Sequence, residues 1–238
     1  MDELWNFFDD VRCINLYERE DRYEEFRTEA LKLKIPVKFY RTNRHPTNGM
    51  LGCYESHMNC IQEAIDNKQD NLLIFEDDAI PNKNLTEETL AECVRFMMEN
   101  NKWTIFYLGC VPNIFRYTKT AEIVPGYKDI YKVRASHTHA YVINKRYMKE
   151  MVSIPFKGEG PDYNVLDAPE VYAHLPSLFE QSTSNSDTRA ARMGKIRVLW
   201  CKFHEWYAIN NMPPPYNFAI VIIILVILVV MWIAYQKI

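Results

Sequence analysis

The chain has 238 residues and a net charge of −3 at pH 7, with 48% hydrophobic and 25% charged residues. That balance, without any block of basic residues, argues against general nucleic-acid binding. About 210 residues precede an apolar C-terminal run, room for one domain with a sizeable core.

The N-terminus is acidic (Asp2, Glu3, Asp9, Asp10) and has neither a basic region nor a long apolar stretch, so no signal peptide is expected. Residues 11–16 form a short apolar run that predicts a first strand. Charged residues alternating with Phe26, Leu31 and Leu33 through Lys34 predict an amphipathic helix. Pro36 ends it, and 37–40 read as a second strand. The stretch 49–52, with a glycine at each end, reads as a turn, and a helix is expected over 53–67 from the spacing of Met58, Ile61, Ala64 and Ile65. Leu72-Leu73-Ile74-Phe75 is wholly apolar, as a central buried strand should be. Thr86, Glu88 and Thr89 open a further helix that ends near Asn100. Strands are expected over 103–109 and 140–143, the latter leading into a basic helix start at Lys145-Arg146. Alternating strands and helices imply an α/β domain with a largely parallel sheet over 1–209.

Residues 210–217 include Pro213-Pro214-Pro215 and read as a stiff linker. The run 218–235 has no charge, proline or glycine. A bilayer core needs about 20 helical residues, so this run predicts a single transmembrane helix. Without a signal peptide, the expected location is a membrane, with the domain facing the cytosol. The six cysteines lack C-x-x-C spacing and are expected to be free, mostly buried thiols.

The feature that points to chemistry is Glu76-Asp77-Asp78 at the end of the buried strand. Ligands of open α/β sheets bind outside the carboxyl ends of strands. Alternation would place Glu76 and Asp78 on one side, where two hard oxygen ligands suit Mg²⁺ or Mn²⁺. A solvated turn before Pro81 is the plainer alternative.

Five ordered blocks add to this. They are Ile14-Asn15-Leu16 with Arg19 and Asp21-Arg22; Gly52-Cys53 with Ser56-His57; Leu73-Ile74-Phe75-Glu76-Asp77-Asp78; Tyr107-Leu108-Gly109 with His139-Ala140-Tyr141-Val142-Ile143; and Pro161-Asp162-Tyr163 with Pro176-Ser177-Leu178-Phe179, Gln181 and Ser186-Asp187-Thr188. In this order the chain resembles glycosyltransferase family 25, the lipooligosaccharide and collagen galactosyltransferase type. The resemblance implies a GT-A-like nucleotide-sugar-binding domain. It implies inverting transfer of a hexose, galactose or glucose, from a UDP-sugar donor to a glycan, glycolipid or protein acceptor, with Mn²⁺ or Mg²⁺. On that resemblance Glu76 and Asp78 would contact the metal or diphosphate. Asp77 would be a sugar contact or a supporting group.

Inversion needs a carboxylate base at the acceptor hydroxyl. Asp162, in a loop with Gly158 and Gly160, is the candidate, though it could equally cap a following helix. Asp167 and Asp187 stand in reserve. Asn15, Arg19 and Arg22 follow the first strand, where a nucleotide's base or phosphates would sit. Arg suits phosphate, but both arginines could simply face solvent. Ser56 and His57 could serve the nucleotide or cap a helix. His137 and His139 read as strand residues rather than a metal pair. Two rival functions are a metal-dependent phosphohydrolase using the same triplet and an inactive binding or scaffold protein on the same fold.

Overall fold

In a computed structural model of the chain the described residues are 1–113, 121–158, 160–162, 168–182 and 194–210, with side chains described from 199 onward in the last of these. They form, in chain order, α1 (Asp2–Trp5), β1 (Asp10–Leu16), α2 (Glu20–Leu33), β2 (Lys38–Thr42), α3 (Gly49–Asp66), β3 (Asn71–Glu76), β4 (Ala79–Pro81), α4 (Glu87–Glu99), β5 (Ile105–Pro112), β6 (Ala121–Ile123), β7 (Ile130–Val133), β8 (Ala135–Asn144), α5 (Lys145–Ser153), β9 (Val171–His174), β10 (Phe179–Gln181) and α6 (Gly194–Ile209).

Local chemistry explains most boundaries. Lys34 takes the left-handed conformation (φ 55°) that closes α2 two residues before Pro36. Thr86 and Thr89 form a reciprocal capping box at the start of α4. The Asn144 side chain caps α5 by accepting from the Arg146 N–H. The turn expected over 49–52 is instead the first turn of α3. The Asn48 side chain accepts from the N–H groups of Met50 and Leu51 (3.1 and 3.2 Å), satisfying the helix's open donors, so the helix starts at Gly49. Gly52 is small for a packing reason: a Cβ there would stand 2.7 Å from the His45 Cβ.

The main sheet has the order β2-β1-β3-β8-β5-β9-β7-β6, and β4 pairs separately with β10. Pairing is parallel for β2–β1, β1–β3 and β5–β9, and antiparallel for β3–β8, β8–β5, β9–β7 and β7–β6. The sheet is therefore mixed in its pairings, although only β8 and β7 run against the other strands. Pattern reasoning misses this because β8 enters between β3 and β5 from far along the chain. Its interior is as apolar as a parallel strand's, since both faces are covered.

One core lies under α3, α5 and α6 and takes Leu72, Ile74, Tyr107, Tyr141 and Ile143 from the sheet. The other lies under α2 and α4 and takes Leu73, Phe75, Phe106, Ala140 and Val142. All six cysteines are free.

The α/β class holds for the described residues, but the transmembrane helix does not. Among them no helix is long and apolar enough to cross a membrane. The longest, α3, carries Glu55, Glu63 and Asp66 and packs on the sheet. This corrects the expected helix, and with it the expected single-pass membrane location and cytosol-facing orientation. Residues 218–235 themselves lie outside the described ones, as does most of the linker.

Candidate functional site

Strand β3 ends at Glu76, and Asp77 and Asp78 belong to the turn before β4. The triplet therefore divides between the two faces of the sheet. On the α2 face, Arg22 donates to Asp77 Oδ1 through Nη1 (2.9 Å), and Asn15 donates to Asp77 Oδ2 through Nδ2 (2.8 Å). The same Nη1 lies 3.6 Å from the Asp78 carboxylate. Asn15 is fixed in turn by Arg41, whose Nε donates to its Oδ1 (3.0 Å). Arg19 makes a two-pronged contact with Asp21, both distances 2.9 Å. Asn15, Arg19 and Arg22 are all buried, so neither arginine lies on a solvated first turn. Burial pushes the Asp77 carboxyl up, and Arg22 and Asn15 pull against it.

The α3 face is differently built. Thr138 donates to Glu76 Oε1 (3.0 Å), and His57 Nε2 stands 3.7 Å from the same oxygen. His57 is fully buried, and its Nδ1 meets the Tyr141 hydroxyl at 3.0 Å. Asp162 joins this group. Burial pushes its carboxyl up, and the negative charge of Glu76 adds to the shift against a hydrogen bond from Thr138 and the pull of His137 and His57. Glu76 moves the other way: burial alone would raise it, but His57, His139 and Thr138 hold it at about 2. Two neighbouring carboxyl groups with opposed affinities for a proton are an acid–base arrangement. Three buried polar atoms on this face have no hydrogen-bond partner among the described residues: His57 Nε2, Asp162 Oδ1 and Tyr107 Oη. Orphaned groups are uncommon in folded interiors and gather where a ligand completes them.

A bulge in β8 builds this face. Tyr141 and Ile143 point to the α3 core, and Ala140 and Val142 to the α2 core. Strict alternation would turn Thr138 toward α2. The β5–β8 register slips between Tyr107 and Gly109 and again between Gly109 and Val111, where β8 takes up the extra residues between Ser136 and Ala140, and His137 adopts φ 69°. After the slip, His139 Nε2 meets Phe179 O (3.1 Å) and Thr138 reaches Glu76. Gly109 makes room, since a Cβ there would fall 2.4 Å from His139 Nε2. His137 and His139 are strand residues, as expected.

The structure thus brings His57, Glu76 and Asp162 together and sets Asn15, Arg19, Arg22, Asp77 and Asp78 on the other side. Ser56 donates to the Gly52 carbonyl (2.7 Å) and lies inside α3 rather than at its start. It lines a cavity of about 240 Å³ with Tyr40, Thr42, Arg44 and Asn59. Asp167 and Asp187 lie outside the described residues. Sequence reasoning missed Cys53 and Thr138. Cys53 shares a space with His57 and Glu76 in which one ligand atom of each lies within 4.8 Å of the others. Its thiol is pushed well up by burial and by Glu76, so it stays protonated. The signal for Thr138 was its place in Ser136-His137-Thr138-His139, a polar run inside an otherwise apolar strand.

A model of glycosyltransferase family 25 (LPS biosynthesis protein) matches residues 38–157, half of the chain. It includes Ser56, His57 and the acidic triplet but not Asn15, Arg19, Arg22 or Asp162. No curated protein matches. Similar solved structures include A197 from STIV, at 12% identity over 72% of this chain and 83% of that one, with TM-score 0.46. A glycosyltransferase involved in the glycosylation of the major capsid of PBCV-1 is 11% identical over 79% and 99%, with TM-score 0.43. UDP-glucose pyrophosphorylase complexed with UDP-glucose is 10% identical over 72% and 74%, with TM-score 0.41. The family match decides the assignment: the chain belongs to glycosyltransferase family 25 and is a glycosyltransferase.

Proposed function

We propose that this glycosyltransferase is inverting and metal-dependent, and moves a hexose from a UDP-sugar to a glycan, glycolipid or protein acceptor. The observation that carries the reading is the pair of Glu76 and Asp162 around Thr138. One carboxyl group is held ionised beside His57, and the other is raised with a buried free oxygen. In this reading Asp162 accepts the proton of the acceptor hydroxyl as that oxygen attacks the anomeric carbon and the nucleoside diphosphate leaves from the opposite face. A raised carboxyl is a stronger base once ionised, and such a base contributes about 10²–10⁴-fold.

The donor set fits a divalent cation: Glu76 offers carboxylate oxygens, and His57 Nε2 lies 3.7 Å away without a hydrogen-bond partner among the described residues. A nitrogen beside the oxygens favours Mn²⁺ over Mg²⁺. Glu76 and His57 would hold the ion, which would supply charge neutralisation on the departing diphosphate; Asp78 stands on the Arg22 side of the turn, apart from this set. Asp77, tied to Arg22 and Asn15, supports the strand end and the sugar. Arg19 and Arg22, engaged with Asp21 and Asp77, brace the strand end. The cavity of about 240 Å³ at Ser56 is the candidate place for the nucleotide's base. The family match favours a transferase over the phosphohydrolase and scaffold readings.

The test is turnover of a panel of UDP-sugars with Mn²⁺ by the purified chain. Glu76→Ala should abolish activity and weaken metal-dependent UDP binding. Full activity in that variant would sink the metal assignment. Release of free phosphate in place of a nucleoside diphosphate would support hydrolysis instead.

A further inference from the structure

A second cluster of metal-ligating side chains lies on the opposite face of the sheet, away from Glu76. Glu92 projects from α4, Asp129 precedes β7, and His174 ends β9. One ligand atom from each lies within 4.8 Å of the others. The backbone fixes two of the three relative to each other: Ile130 is the register partner of His174, and the Leu175 N–H donates to the Asp129 carbonyl (2.9 Å). Glu92 is tied to the same loop, because its Oε1 accepts the Lys128 N–H (2.8 Å).

The imidazole shows what the cluster lacks. His174 is 2% exposed, and its Nδ1 lies 2.9 Å from the Pro176 carbonyl. A carbonyl only accepts, so Nδ1 carries the proton and Nε2 of the neutral ring presents its lone pair. Nε2 is buried and has no hydrogen-bond partner among the described residues. Two carboxylates and a lone pair then converge with no proton between them. The cations nearby are peripheral: Arg95 lies 3.9 Å from Glu92 and also reaches Glu99, and Lys128 Nζ lies 3.8 Å from Asp129.

We propose that Glu92, Asp129 and His174 Nε2 form a structural site for a divalent transition-metal ion, of which Zn²⁺ is the representative. One imidazole with two carboxylates, at about 2.0–2.2 Å from the ion, is an ordinary zinc set with room for a water. A histidine that donates its other N–H to a backbone carbonyl is the usual arrangement around a ligating imidazole. The carboxylate side chains are 17% and 26% exposed, which gives the ion a way in. The site would pin α4 to the β7–β9 edge, clear of the transfer chemistry.

The experiment uses the full chain, stripped of metal with a chelator and titrated with Zn²⁺ alone. Binding is followed by calorimetry and the melting temperature by thermal denaturation. Wild type should bind one equivalent more than Glu92→Gln or Asp129→Asn and should melt several degrees higher with Zn²⁺ than without. Both variants keep the side-chain shape at partly exposed positions and should match apo wild type in melting. Glu76→Gln should keep the Zn²⁺-dependent rise, which separates this site from the candidate active site. Equal stoichiometry and equal melting shifts in wild type and both variants would overturn the proposal.

Discussion

The two sides of the β3 terminus hold the same kind of group in opposite ways. On the α2 side Asp77 is buried against a guanidinium and an amide, with its oxygens taken. On the α3 side Glu76 and Asp162 share a hydroxyl and an imidazole, and one carboxylate oxygen and one ring nitrogen are left over. The first arrangement is closed and stabilising. The second keeps like charges together in a buried place, which costs stability and leaves capacity for chemistry. A run of three acids is therefore not one site but a structural half and a reactive half.

The comparison can be broken most severely at Asp162. Asp162→Asn should lower kcat by about 10²–10⁴-fold while UDP affinity stays nearly constant. The same variant should melt slightly higher than wild type. Asp162 binds its proton more tightly when folded, so its contribution is present below the ordinary value of 3.8 and is lost as pH rises through the raised one. Asparagine escapes that loss. A variant that is both inactive and less stable would make the residue structural.

Next in size is the closed side. Arg22→Ala leaves Asp77 buried without its cation and should cost about 3–5 kcal/mol. Chemical denaturation of Arg22→Ala, Asp77→Asn and the double variant reads this directly: the double variant should recover much of the loss. Strict additivity would mean that the pair is not coupled.

Glu76 provides a pH contrast. Its carboxyl is held at about 2, below the ordinary 4.5, so its contribution is present above 4.5 and is lost as pH falls toward 2. Melting curves across that window should show a smaller acid loss for Glu76→Gln than for wild type. The mildest test is Thr138→Val, which removes the shared hydroxyl. It should cost about 1 kcal/mol and change turnover only several-fold, because both carboxyl groups remain.

Much of the frame was legible because local chemistry writes it. The buried run at Leu72-Leu73-Ile74-Phe75, the Thr86 cap and the basic start of α5 all name their own structure. The start of α3 was misread because two glycines suggest a turn, while Asn48, one residue earlier, decides the matter. The triplet was visible, but its division between two faces was not. That division depends on where α2 and α3 pack, and on a register slip in β8 that no alternation pattern announces. The 218–235 run has the composition of a membrane span, and composition was all the evidence for it. Thr138 reaches the site only through the register slip, although the polar run around it is a signal, and Cys53 stands one helical turn before His57 on α3, so helix spacing places it there.

The place of β8 also governs how the molecule can form. It pairs Asn71 with Asn144 on one side and Ile105 with Ile143 on the other. The reactive face draws on residues 57, 76, 138 and 162, so no N-terminal piece of the nascent chain can assemble it. Such non-local closure is slow, because the entropy of a long loop is spent before its contacts return anything. Until β8 inserts, β3 and β5 each offer an open apolar edge to other chains, and the interval before insertion is when this protein is most exposed to aggregation.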